Sequence, residues 1–351
     1  MNRHNRILLI VLLGQIALIG LTWFVLGTRK TEVTPEVPLL PVAAKDISRI
    51  AITGMSGNEP APTLVLHKVD DNWALESAGD FPCLADKVDV LIDLLVSLKV
   101  QAPIASNPAN HGTLNVADAA FDRKVALTAG AQEFTLFVGR GGRATGHVRM
   151  AGQNDVYAVK DLQVWSIPSA ASGLVDTQYV QVTPGDVTRI DVANAHGEMT
   201  FQRGEAGWEM ADVPPEKELD TQAVDDMLNR LARVALTVPE GREIKPAYGL
   251  DGGVRVTLAG AADDKEFQVA YTVGAKVEHT HYLKRDDSDF VVSVSSYSVS
   301  PAVEKKAADF WRDPAAADTE EAPPALHGGG GLDPAILEQL GGISPEMLGM
   351  P

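Results

Sequence analysis

Residues 46–52, Asp46-Ile47-Ser48-Arg49-Ile50-Ala51-Ile52, return as Asp186-Val187-Thr188-Arg189-Ile190-Asp191-Val192 at an offset of 140. The match continues downstream. Asn72-Trp73-Ala74-Leu75 corresponds to Gly207-Trp208-Glu209-Met210 at an offset of 135. Val88-Asp89-Val90-Leu91-Ile92-Asp93-Leu94-Leu95 corresponds to Val224-Asp225-Asp226-Met227-Leu228-Asn229-Arg230-Leu231. Glu133-Phe134 then pairs with Glu266-Phe267, and Val138-Gly139 with Val273-Gly274. The order is kept, and the small drifts in spacing fall in turns. Self-similarity at a fixed long period is the mark of a repeated structural unit. Two units are expected, 46–180 and 186–312.

Within each unit the pattern is consistent. Ile47, Ile50 and Ile52, then Leu64 and Leu66, fit short half-buried strands, and Trp73 with Leu75 a third. Asp86 reads as the N-cap of a helix whose apolar stripe is Val88, Leu91, Ile92, Leu95 and Leu98. In the second unit Asp220 or Thr221 caps, and Val224, Met227, Leu228, Leu231 and Val234 repeat the stripe. Four further strands follow, at 123–129, 133–138, 147–150 and 156–159. Asn154-Asp155 and Asp286-Asp287 mark the last hairpin turns. A short helix near 161–167, or 299–310, closes each unit. Strands outnumber helices and mostly adjoin one another, so the expected class is α+β with antiparallel sheet.

Outward from the units, the start of the chain is apolar. Ile7 to Gly27 is a run of 21 residues without a charge and with one amide, Gln15. At ~1.5 Å per residue a helix of that length matches a hydrocarbon core of about 30 Å. The run is too long for the apolar part of a cleaved signal peptide, and Val25-Leu26-Gly27 is a poor cleavage site. The expectation is a transmembrane signal anchor over 7–27 with residues 1–6 as a cytoplasmic tail. Arg3 and Arg6 against Arg29 and Lys30 give a slight bias to that orientation. The bulk of the chain is then periplasmic at a bacterial inner membrane. Residues 28–45, with three prolines, read as a stiff spacer.

The charge balance narrows the partners. The chain holds 30 Lys+Arg against 47 Asp+Glu, a net −17 over 351 residues. Without Arg3, Arg6, Arg29 and Lys30, the remainder carries 26 bases against 47 acids, a net −21. Such a surface repels phosphate backbones, so no nucleic-acid partner is expected. The single cysteine, Cys83, excludes an internal disulfide framework and a multi-cysteine zinc site.

Taken together, the N-terminal anchor, the Ile50/Ile190 strand, the Trp73/Trp208 strand and the helix after each tryptophan resemble a bacterial family, domain of unknown function 4340. Tyr248-Gly249-Leu250-Asp251, just before a strand, is another phrase typical of that family. The resemblance covers roughly 46–312. It implies an extracytoplasmic accessory protein of the kind encoded beside gliding-motility-type ABC transporter components. It implies no enzymatic activity and carries over no site residues.

Candidate chemistry is sparse. Gly139-Arg140-Gly141-Gly142-Arg143-Ala144-Thr145-Gly146 could offer backbone N–H groups and two arginines to an anion, but a phosphate-binding P-loop needs Gly-Lys-Ser/Thr opening a helix. A hairpin loop is the expectation. His279 and His281 would share one face of a strand, yet a metal site needs further ligands, and Glu278 points to the other face while the first unit offers His147 alone. No Gly-x-Ser-x-Gly elbow is present. The pairs Asp70-Asp71, Asp225-Asp226, Asp263-Asp264 and Asp286-Asp287 read as turns or a helix's polar face. Cys83 reads as a partly buried, inert thiol, and Trp73 and Trp208 as core. No catalytic residue, metal site or cofactor is assigned.

Residues 313–331, rich in Ala, Pro, Gly and acid, read as a disordered linker within a tail spanning 313–351. Leu332-Asp333-Pro334-Ala335-Ile336-Leu337-Glu338-Gln339-Leu340-Gly341 then has an Asp cap, Pro at the first helical position and a terminal Gly. Ser344-Pro345-Glu346-Met347-Leu348-Gly349 repeats that grammar. Such short helices are marginal alone. Ile336, Leu337, Leu340, Met347 and Leu348 are therefore expected to dock on a partner. The functional expectation is a non-enzymatic accessory or scaffolding subunit of an envelope complex with an ABC-type transporter. The alternative is a ligand-binding module that holds a lipid, glycan or polymer between the units. A divergent hydrolase lacks an assembled nucleophile.

Overall fold

The computed structural model describes residues 12, 14–22, 35–57, 59–142 and 144–314. Most of the apolar run, the start of the spacer, Arg143 and the tail segments 332–341 and 344–349 lie outside the described residues. Leu12 and residues 14–22 are helical. Among the described residues, no helix is long and apolar enough to cross a membrane.

The first unit comprises β1 (Val37–Pro38), β2 (Ile47–Ser56), β3 (Glu59–Pro60), β4 (Leu64–Val69), β5 (Asn72–Leu75), β6 (Phe81–Pro82), α1 (Ala85–Val96), β7 (Lys99–Val100), β8 (Arg123–Ala129), β9 (Gln132–Arg140), β10 (Thr145–Met150) and β11 (Val156–Lys160). The second comprises β12 (Gln178–Gln181), β13 (Val187–Asn194), β14 (Gly197–Gly204), β15 (Gly207–Glu209), β16 (Glu218–Leu219), α2 (Thr221–Leu231), β17 (Arg233–Gly241), β18 (Val254–Ala262), β19 (Lys265–Val277), β20 (Thr280–Arg285), β21 (Val291–Ser295), α3 (Ser296–Glu304) and β22 (Trp311–Arg312). The class is α+β with antiparallel sheets.

Both large sheets follow one strand order. The first runs β11-β10-β9-β8-β2-β4-β5-β6, with β3 on the end of β2; the second runs β12-β17-β21-β20-β19-β18-β13-β14-β15. The stretch β11 to β5 thus has its counterpart in β21 to β15. The opening phrase of each unit shows why. Ile47, Ile50 and Ile52 are all buried although the first spacing is three residues, and so are Val187, Ile190 and Val192. Strand side chains alternate with period two, so a spacing of three needs one extra residue. Register shifts sit there in both strands, between Ile47 and Arg49 against β8 and between Val187 and Arg189 against β18.

The Val-Gly repeat has an equally plain cause. A methyl group on Gly139 would lie 2.1 Å from the Leu114 carbonyl oxygen, and one on Gly274 would lie 2.1 Å from that of Tyr248. Each carbonyl belongs to a turn continued by a left-handed residue, Asn115 at φ 55° and Gly249 at φ 61°. The Tyr248-Gly249-Leu250-Asp251 phrase is that turn in the second unit. No side chain fits beneath it.

Each helix lays its stripe on its own sheet: Val88, Leu91, Ile92 and Leu95 in α1, and Val224, Met227, Leu228 and Leu231 in α2, are buried. One cap matches the expectation and one does not. Asp220 caps α2, accepting from the Ala223 amide at 3.1 Å. Asp86 does not cap α1, whose N-cap is Leu84 without a side-chain bond; Asp86 stands in the first turn, where its charge meets the positive helix end. Leu98 and Val234 are buried but lie beyond the helices, Val234 within β17. After β11 the chain makes a 3-10 turn, Val164–Ser166; after β21 it forms α3 and a second 3-10 turn, Ala307–Phe310.

Residues 37–40, read above as spacer, pack on the first unit. β1 pairs with β7, the Leu39 amide donates to the Leu98 carbonyl at 2.9 Å, and Leu40 is 2% exposed. β12 holds the same position before the second unit, with the Val182 amide donating to Ala232 at 2.8 Å. One continuous apolar core runs through both units. Their boundary is filled. Phe81 packs on Phe290 with ring centroids 4.8 Å apart, and Arg242 donates to the Gly79 carbonyl at 2.9 Å.

Candidate functional site

The feature that departs from the shared strand order lies on the outer edge of β11. In the second unit β17 is nine residues long and pairs along β21, from Leu236 opposite Val294 to Gly241 opposite Val291. In the first unit the corresponding strand, β7, has two residues and belongs with β1 to a separate sheet. β7 lies alongside β11 without pairing with it, and hydrogen bonding to β11 is made at Val156, whose carbonyl accepts from Ile104 and whose amide donates to Ala105, both at 2.8 Å. Between β7 and Ile104 stand Gln101, Ala102 and Pro103. Pro103 has no N–H for a sheet ladder, and a proline restricts the residue before it.

The result is a slot of about 580 Å³ between the end of α1, the β7 segment and the end of β11. Leu94, Leu98, Ile104, Val159 and Leu162 are the larger apolar residues that line it. Ile104 is 50% exposed, whereas Leu98, Val159 and Leu162 are buried. Lys99 and Lys160 stand on the rim with Glu36 and Asp161, two charges of each sign. Gln101 donates to the Glu36 carboxylate at 3.2 Å.

Strand alternation places backbone groups in the slot. Val156 uses both its N–H and its C=O outward, toward Ile104 and Ala105. In an antiparallel strand every second residue points its backbone groups the same way, so those of Ala158 and Lys160 face the slot. The Asp161 amide fits the alternation, donating inward to Ala144 at 2.8 Å. The second unit closes the corresponding place with β17 and with α3, where the Arg230 guanidinium covers the Tyr297 ring at 4.3 Å. On the first unit's shorter turn, three residues beyond Leu162, Trp165 is 72% exposed.

The residues singled out by sequence pattern take other places. The glycine-rich stretch is a hairpin: the Gly141 amide donates to Thr145 at 3.1 Å, and the Arg140 amide is already bound by the Asp122 carboxylate at 2.7 Å. An acid at that point opposes a second anion. His279 and His281 do not share a strand face. His279 lies in the β19–β20 turn and is exposed, while His281 is buried with Nδ1 3.0 Å from the Gly274 carbonyl oxygen. Among the described residues, no group of three or more His, Cys, Asp or Glu side chains is placed to hold a metal.

The acid pairs are structural. Asp70-Asp71 and Asp263-Asp264 are left-handed at both positions, the backbone that tight hairpins between twisted strands require. Asp225 accepts from the Trp208 indole at 2.7 Å. Asp286 and Asp287 bond Arg255 and Arg285, whose donated hydrogen bonds hold both carboxyls below the usual range. Trp73 and Trp208 are buried. Burial pushes the Cys83 thiol up to about 11, so it is a poor nucleophile at neutral pH.

A comparison with protein families gives one result. The family described as "Domain of unknown function (DUF4340)" matches residues 73–251, which is 179 of 351 residues, and the chain belongs to that family. The matched stretch runs from Trp73 through the slot to the Tyr248 turn. Neither the curated proteins nor the solved structures give a match.

Proposed function

We propose that this DUF4340 protein is a non-enzymatic, membrane-anchored accessory or scaffolding subunit of an envelope complex. Its two units face the periplasm of a bacterial cell, and its partner is an ABC-type transporter. The observation that carries the reading is the N-terminal helix. Leu12, Ile16, Leu18, Ile19 and Leu21 are between 52% and 64% exposed. Large apolar side chains so exposed among the described residues suit a lipid surrounding, and the uncharged run from Ile7 to Gly27 supplies the length. The partner class rests on the family resemblance. The core shared by the two units suits a scaffold, because a filled boundary holds both surfaces in one arrangement. Ile336, Leu337, Leu340, Met347 and Leu348 of the tail are the docking face for a partner.

The test is purification of the full chain from detergent-solubilised membranes, with a reporter fused beyond residue 45. The expected result is an extracytoplasmic reporter and stoichiometric recovery of transporter subunits. A mature protein beginning near residue 28 or 45 overturns the anchor. The slot of about 580 Å³ favours the second reading, a module for a lipid, glycan or polymer. Recovery of such a molecule without a protein partner would decide for it.

A further inference from the structure

We infer that one end of the first sheet is a membrane-contact face, from which Trp165 enters the head-group layer of the bilayer that holds the N-terminal run. The inference goes beyond the accessory reading and rests on its anchor.

Three observations converge. The first is what the strand ends carry. Gly54 of β2 pairs with Arg123, the first residue of β8; Arg140, the last of β9, pairs with Gly146; Lys160, the last of β11, pairs with Thr145. Arg123, Arg140 and Lys160 are thus brought to one end of the sheet, and Lys99 lies on the slot beside Lys160. Glu36, Glu59, Asp122 and Asp161 balance them. The turns at the opposite end, 70–71, 130–131 and 151–155, hold Asp70, Asp71 and Asp155 and no base. A negatively charged lipid surface therefore repels the far end and not this one.

The second is the segment laid across those strand ends. A methyl group on Gly146 would lie 2.8 Å from the Leu162 side chain, and one on Gly54 would lie 2.8 Å from that of Ser169. Between them, the Ile167 carbonyl accepts from Arg123 Nε at 2.9 Å. Residues 162–169 therefore cross from β10 to β2, and the 3-10 turn Val164–Ser166 meets β9 on the way. Val164 and Ile167 are buried and hold that turn, while Trp165 between them is 72% exposed. An indole, apolar with one N–H donor, suits the boundary between head groups and acyl chains. On a fixed turn it gives up little freedom when it enters.

The third is where the tether joins. Glu36 lies at this end, on the slot with Lys160, and is nine residues on from Gly27, the last residue of the apolar run. Fully extended, nine residues span about 30 Å. Residues 36–314, about 280 in all, make a compact body with a radius of gyration of about 19 Å, or roughly 50 Å across. The tether is shorter than the body is wide. With the run in the bilayer, the end that the tether enters is the end held against the lipid.

The experiment uses the full chain carrying Trp23→Phe, which removes the tryptophan of the apolar run. It is reconstituted in vesicles of phosphatidylethanolamine and phosphatidylglycerol whose acyl chains are brominated near the head group, so that tryptophan in contact with them is quenched. Trp73 and Trp208 are buried and Trp311 is half-buried, which leaves Trp165 to report the contact. The expected result is quenching that Trp165→Ser abolishes. Lys160→Glu should lower the ratio of quenched to unquenched Trp165 by about tenfold or more, the scale for reversing one charge at an anionic surface. Ala131→Trp, at the opposite end of the sheet, should not restore quenching to Trp165→Ser. An unchanged melting temperature in each variant excludes misfolding as the cause. Three results overturn the inference: no quenching, which is also what a Trp165 reserved for a protein partner gives; quenching indifferent to Trp165→Ser or to Lys160→Glu; and equal quenching from Ala131→Trp. Flotation of the vesicles at alkaline pH reports the anchor separately. A chain that floats without quenching loses this face and keeps the anchor; a chain that does not float loses both.

Discussion

Beyond β21 the second sheet continues through β17 into β12; beyond β11 the first sheet stops, and its β1–β7 pair stands apart. Inward of that edge, β11 to β5 follows the order of β21 to β15, down to the bulge in the opening strand and the glycine under the turn. The difference teaches that an edge can be opened without touching the fold behind it. In the second unit Val234 and Leu236 are buried as β17 sets out along β21. In the first, Gln101-Ala102-Pro103 supplies neither an apolar alternation nor a full set of donors. The parts that the two units share should behave alike.

The largest effect should come from the two closing segments. The Leu84 amide donates to Leu174 at 2.8 Å, and the Asp220 amide donates to Phe310 at 2.8 Å. Both pairs are 136 residues apart from their counterparts, and Leu174 and Phe310 are fully buried. Phe310→Ala should cost about 3–5 kcal/mol and Leu174→Ala about 2–5 kcal/mol, through lost burial and a residual cavity. Urea unfolding reads both. A near-neutral Leu174→Ala beside a severe Phe310→Ala would show that the two closures are not equivalent parts.

Next come the paired glycines. Gly139→Ala and Gly274→Ala each place a methyl group 2.1 Å from a backbone oxygen, so a turn must move. A cost of about 1–3 kcal/mol is expected for each, as for other overpacked positions. Similar losses in both would sharpen the comparison, and a difference would locate the more rigid turn.

Much of this was legible in sequence. Asp46–Ile52 and Asp186–Val192 announced the first strands, the tryptophans their core positions, and the apolar stripes both helices. The bulge is also present in the spacing of Ile47 and Ile50, but a spacing of three reads as noise until the partner strand is known. Residues 37–40 were hidden by Pro38 and by Pro35 and Pro41 on either side; Val37–Pro38 pairs at a sheet edge, where proline is tolerated. Asp86 looked like a cap because capping residues also suit the first helical turn. His279 and His281 looked coplanar because the β19–β20 turn could not be placed within two residues. The slot had no sequence signal of its own. It consists of hydrogen bonds that the second unit makes and the first does not, and only the two sheets side by side display it.

A smaller effect separates the helix starts. Asp220→Ala removes the side-chain bond to the Ala223 amide and should cost about 1 kcal/mol. Asp86→Ala removes charge near a helix end that has no side-chain cap, a loss of about 0.3–1 kcal/mol that added salt should shrink further. Unfolding at low and high ionic strength tests the distinction. If Asp86→Ala proves the costlier and is insensitive to salt, Asp86 has a bonded role that its position does not account for.

The smallest effect concerns Cys83, which stands just before α1 where Leu219 stands before α2, again 136 residues on. Proximity to a helix N-terminus would lower a thiol's pKa, yet burial wins and raises it to about 11 from its usual 9.0. The sign of the linkage follows. Between those two values the unfolded chain has released the thiol proton and the folded chain still holds it, so rising pH favours unfolding. The stabilisation is complete below pH 9 and disappears as pH passes 11. Because the thiol is partly exposed, solvent screening keeps the effect small. Cys83→Leu, which gives the first unit the second unit's residue, should flatten the alkaline limb of the stability curve and leave neutral stability nearly unchanged. Alkylation of the folded wild type should likewise stay slow until the pH approaches 11. Rapid alkylation at pH 7.5 would mean that the helix end governs this thiol after all, and that Cys83 is not the inert counterpart of Leu219.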